Sequence, residues 1–216
     1  MDYKVIIFDW DGTLMDSIDK IVASMQAAAN DCQLTIPSSE TVRHQVGLSL
    51  DKVMMQLYPH ESVAQQAAMV EAYRFQYRAL DKQHATPFYP GIQTWLMDLK
   101  AQGYLLAVAT GKGRNGLNRL LEKFAVKDLF AVTYCADETQ SKPNPLMLNL
   151  ILKDLSLVAS QALMVGDSSY DLEMANNANI DCLGVSYGVH SEQLLKQFNP
   201  IAIVDDLPKE FALYVQ

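Results

Sequence analysis

Three things are scarce in this chain. Cysteine occurs only at Cys32, Cys135 and Cys182 in 216 residues, with no CxxC pair and no neighbouring His or Cys at ligand spacing. So sparse and odd a set speaks against a disulfide framework or a cysteine zinc site, and reads as reduced thiols packed in a core. Long hydrophobic runs are missing: nowhere do 18 apolar residues stand together, so no transmembrane helix is expected. The apolar stretch near the N-terminus is cut by Asp9 and Asp11 and is too brief for a signal-peptide h-region, which makes the cytoplasm the expected location. Positive charge is the third shortage. Seventeen Lys and Arg face 25 Asp and Glu, a formal net charge of −8. Nucleic acid and anionic membrane are therefore not expected as partners, since both need clustered basic residues. No internal repeat and no low-complexity tract appears.

What remains is an ordinary folding composition, 50% hydrophobic and 19% charged. Short apolar runs at YKVIIF (3–8), YLLAVAT (104–110), AVTYCAD (131–137), ALMVGD (162–167), DCLGVS (181–186) and IAIVDD (201–206) read as strands buried on both faces. Helical patterns lie between them at 91–103, 114–125, 145–156 and 171–178, with Gly103 where a helix C-cap would stand. Strand–helix alternation implies an α/β fold, a doubly wound parallel sheet of Rossmann-like form covered on both faces. From Asp16 to Lys82 the pattern changes to helices alone, at 17–32, 49–58 and 62–82, with Ser17 a candidate N-cap. The expected organisation is an α/β core over 1–15 and 83–216 and an inserted all-helical cap over 16–82. Asp16 and the stretch 83–87 are the expected hinges.

In an open α/β sheet ligands bind beyond the carboxyl ends of the strands. Those ends carry Asp9-Trp10-Asp11-Gly12-Thr13, then Thr110-Gly111-Lys112, then a loop with Ser141-Lys142-Pro143, and then Gly166-Asp167 with Asp171 following. Gathered in one pocket, Asp9, Asp11, Asp167 and Asp171 cannot all ionise without a cation. An all-oxygen donor set lacking His and Cys suits Mg²⁺. A carboxylate beside such a metal can attack phosphorus as a nucleophile, while a lysine and a hydroxyl orient the phosphoryl oxygens. Asp11 could carry the proton to the leaving alkoxide and later take one from water.

DxDGT after a strand, then TGK, KPxP and GDxxxD in that order, resemble the haloacid dehalogenase (HAD) superfamily. The insertion after the first motif resembles its helical-cap subfamily. FDWDGTLMDS, FYPG (88–91), ATGKGR (109–114), SKPNP (141–145) and VGDSSYDLEMANNA (165–178) are similar to phosphoglycolate phosphatase-like members. The resemblance implies Asp9 as nucleophile and Mg²⁺ ligand, and Asp11 as general acid/base with its backbone carbonyl on the metal. It implies Thr110 and Gly111 at the phosphoryl group, Lys142 bridging that group and Asp9, Asp167 completing the metal site and Asp171 holding the metal shell. The implied activity is hydrolysis of a small phosphorylated metabolite, phosphoglycolate first, by a monomer or homodimer. Sugar phosphates, nucleotides and pyrophosphate are the other substrate classes. A phosphomutase of the same superfamily is the alternative, and the Gly12-Thr13 pair leans away from it; Asp11 leans away from dehalogenation. In the cap, Arg43 within RHQVGLS (43–49) is the candidate for the substrate's far end, since a guanidinium suits a carboxylate or second phosphate. Lys112 reads as a solvated lysine, His190 as a loop residue, and Asn179 as a turn residue tolerating positive φ.

Overall fold

A computed structural model describes residues 2–215. All six expected strands form: β1 (Val5–Phe8), β2 (Leu105–Thr110), β3 (Val132–Cys135), β4 (Ala162–Gly166), β5 (Asp181–Val185) and β6 (Ala202–Val204). They make one parallel sheet in the order β3-β2-β1-β4-β5-β6. The order reverses at β1, so a crevice opens beyond the ends of β1 and β4, the usual ligand position in such sheets.

Alternation along the strands sorts the core into two layers. Ile6, Phe8, Leu106, Val108, Leu163 and Val165 face one side, where α5 (Ile92–Ala101), α6 (Arg114–Lys123) and the C-terminal α10 (Leu207–Tyr214) supply Trp95, Leu96, Leu120 and Phe211. Val5, Ile7, Ala107, Ala109 and Met164 face the other, against α7 (Leu146–Leu155) and α8 (Ser169–Asn177). All four residues of β1 are fully buried, each large side chain contributing about 1.5–3 kcal/mol of transfer free energy. Gly103 and Asn179 adopt positive φ just past α5 and α8 (96° and 56°), as their residue types favour.

Between β1 and α5 the chain is helical: α1 (Ile18–Asp31), α2 (Ser39–Arg43), α3 (Leu50–Leu57) and α4 (Val63–Gln83). These helices have their own core, in which Met25, Ala28, Met54, Met69 and Tyr73 meet. Chain entry and exit are tied together, for Asp16 N–H donates to Pro87 O at 3.0 Å. A buried carboxylate, Asp81 on α4, accepts from Lys20 of α1 (2.9 Å) and from Lys123 of α6 (3.0 Å), linking the helical segment to the sheet-covering layer. Burial alone would raise the Asp81 carboxyl, but the two ammonium groups and the Thr86 N–H outweigh it and hold the group below the usual carboxylate range.

One local expectation is corrected. Ser17 occupies the N-cap position of α1, yet its side chain makes no capping bond. Its hydroxyl donates to Asp11 Oδ1 instead, at 2.7 Å.

Candidate active site

Asp9 and Asp167 are the residues immediately after β1 and β4, so neighbouring strands deliver both carboxylates to the same crevice. Asp9 extends the ladder by one bond, its N–H donating to Val165 O at 2.9 Å. The chain then turns at Gly12, φ 88°, where a Cβ would lie 2.3 Å from Asp167 Oδ2. Only glycine both adopts this turn and leaves room for the second acid. Thr13 donates its hydroxyl to Asp167 Oδ1 (2.8 Å), and Val189 N–H donates to Oδ2 (2.9 Å), fixing that carboxylate from two sides.

Lys142 lies in the loop after β3 and is fully buried. Its Nζ donates to Asp9 Oδ1 at 2.5 Å and to Asp171 Oδ1 at 2.6 Å. Asp171 is the third residue of α8 and closes a capping box: its Oδ2 accepts from the Ser168 N–H (3.1 Å) and hydroxyl (2.6 Å). Both Asp171 oxygens therefore serve Lys142 and the helix start. Asp9, Asp167 and Asp171 nonetheless lie close enough for one oxygen from each to fall within 4.8 Å of the others.

The electrostatics follow from burial. Desolvation pushes the Asp9 carboxyl well above its usual range; Lys142 opposes this, while Asp171 and Asp167 reinforce it. Asp167 is pushed up to about 7, by burial first and by the Asp171 charge second. Lys142 moves the other way from what burial dictates, because Asp171 and Asp9 hold its proton.

Asp11 is a partner of a different kind. Ser17 donates to its Oδ1, and Lys112 Nζ lies 3.0 Å from its Oδ2. Lys112 is thus not the solvated lysine expected from its sequence context: its side chain is 11% exposed and its ammonium sits 4.9 Å from the Tyr77 ring centroid. Thr110 is buried and its hydroxyl accepts the Lys112 N–H at 3.1 Å. Gly111 packs beneath the loop after α2, since a Cβ there would stand 2.4 Å from Gly47 O. Three further contacts hold the helical segment over the crevice: Ser49 N–H to Ser141 Oγ (2.9 Å), Tyr170 hydroxyl to His44 O (2.9 Å) and Lys52 Nζ to Lys142 O (3.4 Å).

A half-open cavity of about 370 Å³ is lined by Asp9, Asp11, Thr110 and Gly111 together with residues of the 16–82 segment and of α6. Arg43 is not among its lining residues. It ends α2, half-exposed, paired with Asp19. The arginines that do line the cavity are Arg74, Arg78 and Arg119. His190 is a loop residue but a buried one, its Nδ1 accepting the Ser169 N–H at 2.8 Å.

A model of the haloacid dehalogenase-like hydrolases matches residues 6–185, from within β1 to the end of β5, and takes in Asp9, Asp11, Thr110, Lys142, Asp167 and Asp171. The chain belongs to that family. It is 34% identical over 207 residues to the "Probable phosphatase IndB" of Dickeya dadantii, covering 93% of this chain and 89% of that protein. It is 30% identical over 214 residues to the phosphoglycolate phosphatase of Psychrobacter arcticus, covering 95% and 93%. Among solved structures, a predicted phosphoglycolate phosphatase of Haemophilus somnus matches with a TM-score of 0.86 at 26% identity, over 99% of this chain and 98% of that one. This hydrolase therefore stands with the phosphoglycolate phosphatase-like members of its family, and no helix among its described residues is long and apolar enough to cross a membrane.

Proposed function

We propose that this phosphatase hydrolyses a small phosphate monoester, a phosphorylated acid of the phosphoglycolate type, through an aspartyl-phosphate on Asp9. The observation that carries the reading is a charge imbalance. Four carboxylates, Asp9, Asp11, Asp167 and Asp171, converge with two ammonium groups, Lys142 and Lys112. The buried cluster is two positive charges short, which suits one divalent cation. Its donors are all oxygen, which suits Mg²⁺ among such cations. Asp9, Asp167 and the Asp11 backbone carbonyl would hold the ion, while Asp171, whose Oδ1 accepts from the Lys142 ammonium, would position that lysine. Bound there, Mg²⁺ would neutralise charge on the phosphoryl oxygens and draw them toward the nucleophile.

The chain's own groups account for the rest. Lys142 holds Asp9 Oδ1, leaving Oδ2 to attack phosphorus as the bond to the leaving oxygen breaks. Thr110 and Gly111 border the same cavity and would receive the phosphoryl oxygens. Asp11 passes a proton to the leaving alkoxide, then takes one from water as that water attacks the aspartyl-phosphate. The Asp9–phosphorus bond breaks and inorganic phosphate leaves. Ser17 and Lys112 aim the Asp11 carboxylate for both transfers. Residues 16–82 act as the cap that shields the intermediate from bulk water.

The test is direct. Purified protein with Mg²⁺ should hydrolyse phenyl phosphate, Asp9→Asn should abolish turnover while keeping the far-UV CD spectrum, and a chelator should silence the parent. Full turnover in Asp9→Asn, or indifference to the chelator, would overturn the mechanism.

A further inference from the structure

The catalytic reading uses the acids and the Thr110-Gly111 turn of the cavity and leaves its other lining residues unexplained. Three buried polar atoms of residues lining it, Gln45 Oε1, the Tyr77 hydroxyl and Arg119 Nε, have no hydrogen-bond partner. Gln45 lines the cavity from the loop after α2, Tyr77 from α4 and Arg119 from α6. Leaving such groups unpaired costs roughly 1–3 kcal/mol apiece, more when charged, and a bound ligand would remove that cost.

Charge points the same way. Lys112 is already neutralised by Asp11 and Arg74 by Glu71 at 2.5 Å, while Arg78 has no acid but donates its Nε–H to Arg74 O. Among the described residues, Arg119 makes no ion pair and no hydrogen bond. Its guanidinium lies 5.9 Å from the Tyr77 ring centroid, held by an aromatic face instead of a carboxylate. In a protein of net charge −8, a cavity-lining arginine without an acid partner is a site for an anion from outside. A guanidinium matches a carboxylate or phosphate through two parallel N–H bonds. Part of the cavity wall is apolar, built from Ile21, Met25, Val46 and Val53. At about 370 Å³ the cavity falls within the range of about 300–1,000 Å³ that holds drug-sized ligands. A two-carbon leaving group would leave much of it empty.

Resting on the phosphatase reading above, we propose that the substrate is a phosphate monoester longer than phosphoglycolate, whose carbon frame lies on this apolar wall and whose second acidic group pairs with Arg119. A hydroxyl on that frame would satisfy Gln45 Oε1. Carboxylate and phosphate share the recognition chemistry, and the test separates them.

Turnover is measured for four compounds with Mg²⁺: phenyl phosphate, phosphoglycolate, a four-carbon ω-phosphooxy carboxylic acid, and the butane bisphosphate of the same length. The parent should favour one of the two longer acid-tailed compounds over phosphoglycolate by at least tenfold in kcat/KM; which of the two wins identifies the second group. In Arg119→Met the ratio of kcat/KM for that compound to that for phenyl phosphate should fall at least tenfold, mainly through KM. Arg119→Lys keeps charge without the fork and should fall between. Calorimetry with the matching phosphonate analogue, on parent and both variants, reads the same site without turnover. Ratios within twofold of the parent in both variants, or equal analogue affinity across all three proteins, would overturn the proposal. Absence of turnover on every compound would overturn the phosphatase mechanism instead, and the calorimetric comparison would still decide Arg119.

Discussion

Asp171→Asn tests whether this residue works by holding Lys142. The carboxylate accepts three hydrogen bonds in a fully buried setting, one from Lys142 Nζ and two from Ser168. Asparagine offers one oxygen. Turned toward Lys142, it points its NH₂ at the Ser168 N–H, leaving a buried donor unpaired; turned the other way, it sets NH₂ against an ammonium. Either rotamer loses a hydrogen bond to a charged group and strands a donor, each worth about 1–3 kcal/mol. The Asp9–Lys142 contact remains, so the full cost of about 3–5 kcal/mol for breaking a buried pair is not reached. The expected loss is about 2–4 kcal/mol, which for a chain of this size lowers Tm by roughly 6–12 °C. Thermal unfolding followed by CD in chelator-containing buffer measures it. A Tm within about 2 °C of the parent, less than about 1 kcal/mol on that scale, would refute the reasoning.

Other perturbations probe the remaining parts. The Asp167 carboxyl, pushed up to about 7 by burial, binds its proton more tightly folded than unfolded, where it titrates near about 3.9. The metal-free fold should therefore lose stability as pH rises from about 4 to 7, and the Tm gain on adding Mg²⁺ should grow over that window; a gain independent of pH would count against it. Lys112→Met removes the ammonium beside Asp11 and should lower kcat on phenyl phosphate by about 10²-fold, the scale of an acid–base contribution; a kcat within twofold of the parent would deny Lys112 that role. Gly111→Ala would place a Cβ 2.4 Å from Gly47 O and 2.7 Å from Leu48 O. Backbone must yield there, so faster amide exchange over 43–49 is expected, together with a fall in kcat/KM of order 10²-fold, typical of a displacement near 1 Å.

The sheet was legible because each strand is a compact apolar run, and β1 through β6 fall within the stretches read as strands. Three short or terminal helices were not anticipated. In α10, Asp206 caps the helix and Pro208 stands in its first turn, but the apolar run of β6 reaches directly into that cap and masks the start. The short α2 and α9 (Glu192–Leu195) span too little chain for a 3.6-residue period to show. Within the site, residues supplied by strand ends were visible in order along the chain. Pairings made across the fold were not. That Lys112 reaches Asp11, that Ser17 turns away from its own helix, and that Arg119 rather than Arg43 faces the cavity all depend on how α1–α4 sit on the sheet. No local pattern encodes that seating.

The inequality of Asp9 and Asp11 follows from topology. Two acids separated by one residue would have like surroundings if they shared a single counter-ion. Here β2 lies on one side of β1 and β4 on the other. The β2 end supplies Lys112 to Asp11, with Ser17 from just before α1 beside it. Asp9 faces the opposite group, Lys142 held by Asp171 from the helix after β4, with Asp167 alongside. Asp9 thus sits in a cluster with more acid than base, while Asp11 is matched one to one. A cation bound at the crevice would act chiefly on Asp9, and Asp11 would keep a proton-exchange role of its own. Trp10 between them is wholly buried, its edge against Phe88 and its Nε1–H on Met15 Sδ. Anchored there, it keeps the two carboxylates turned to different partners.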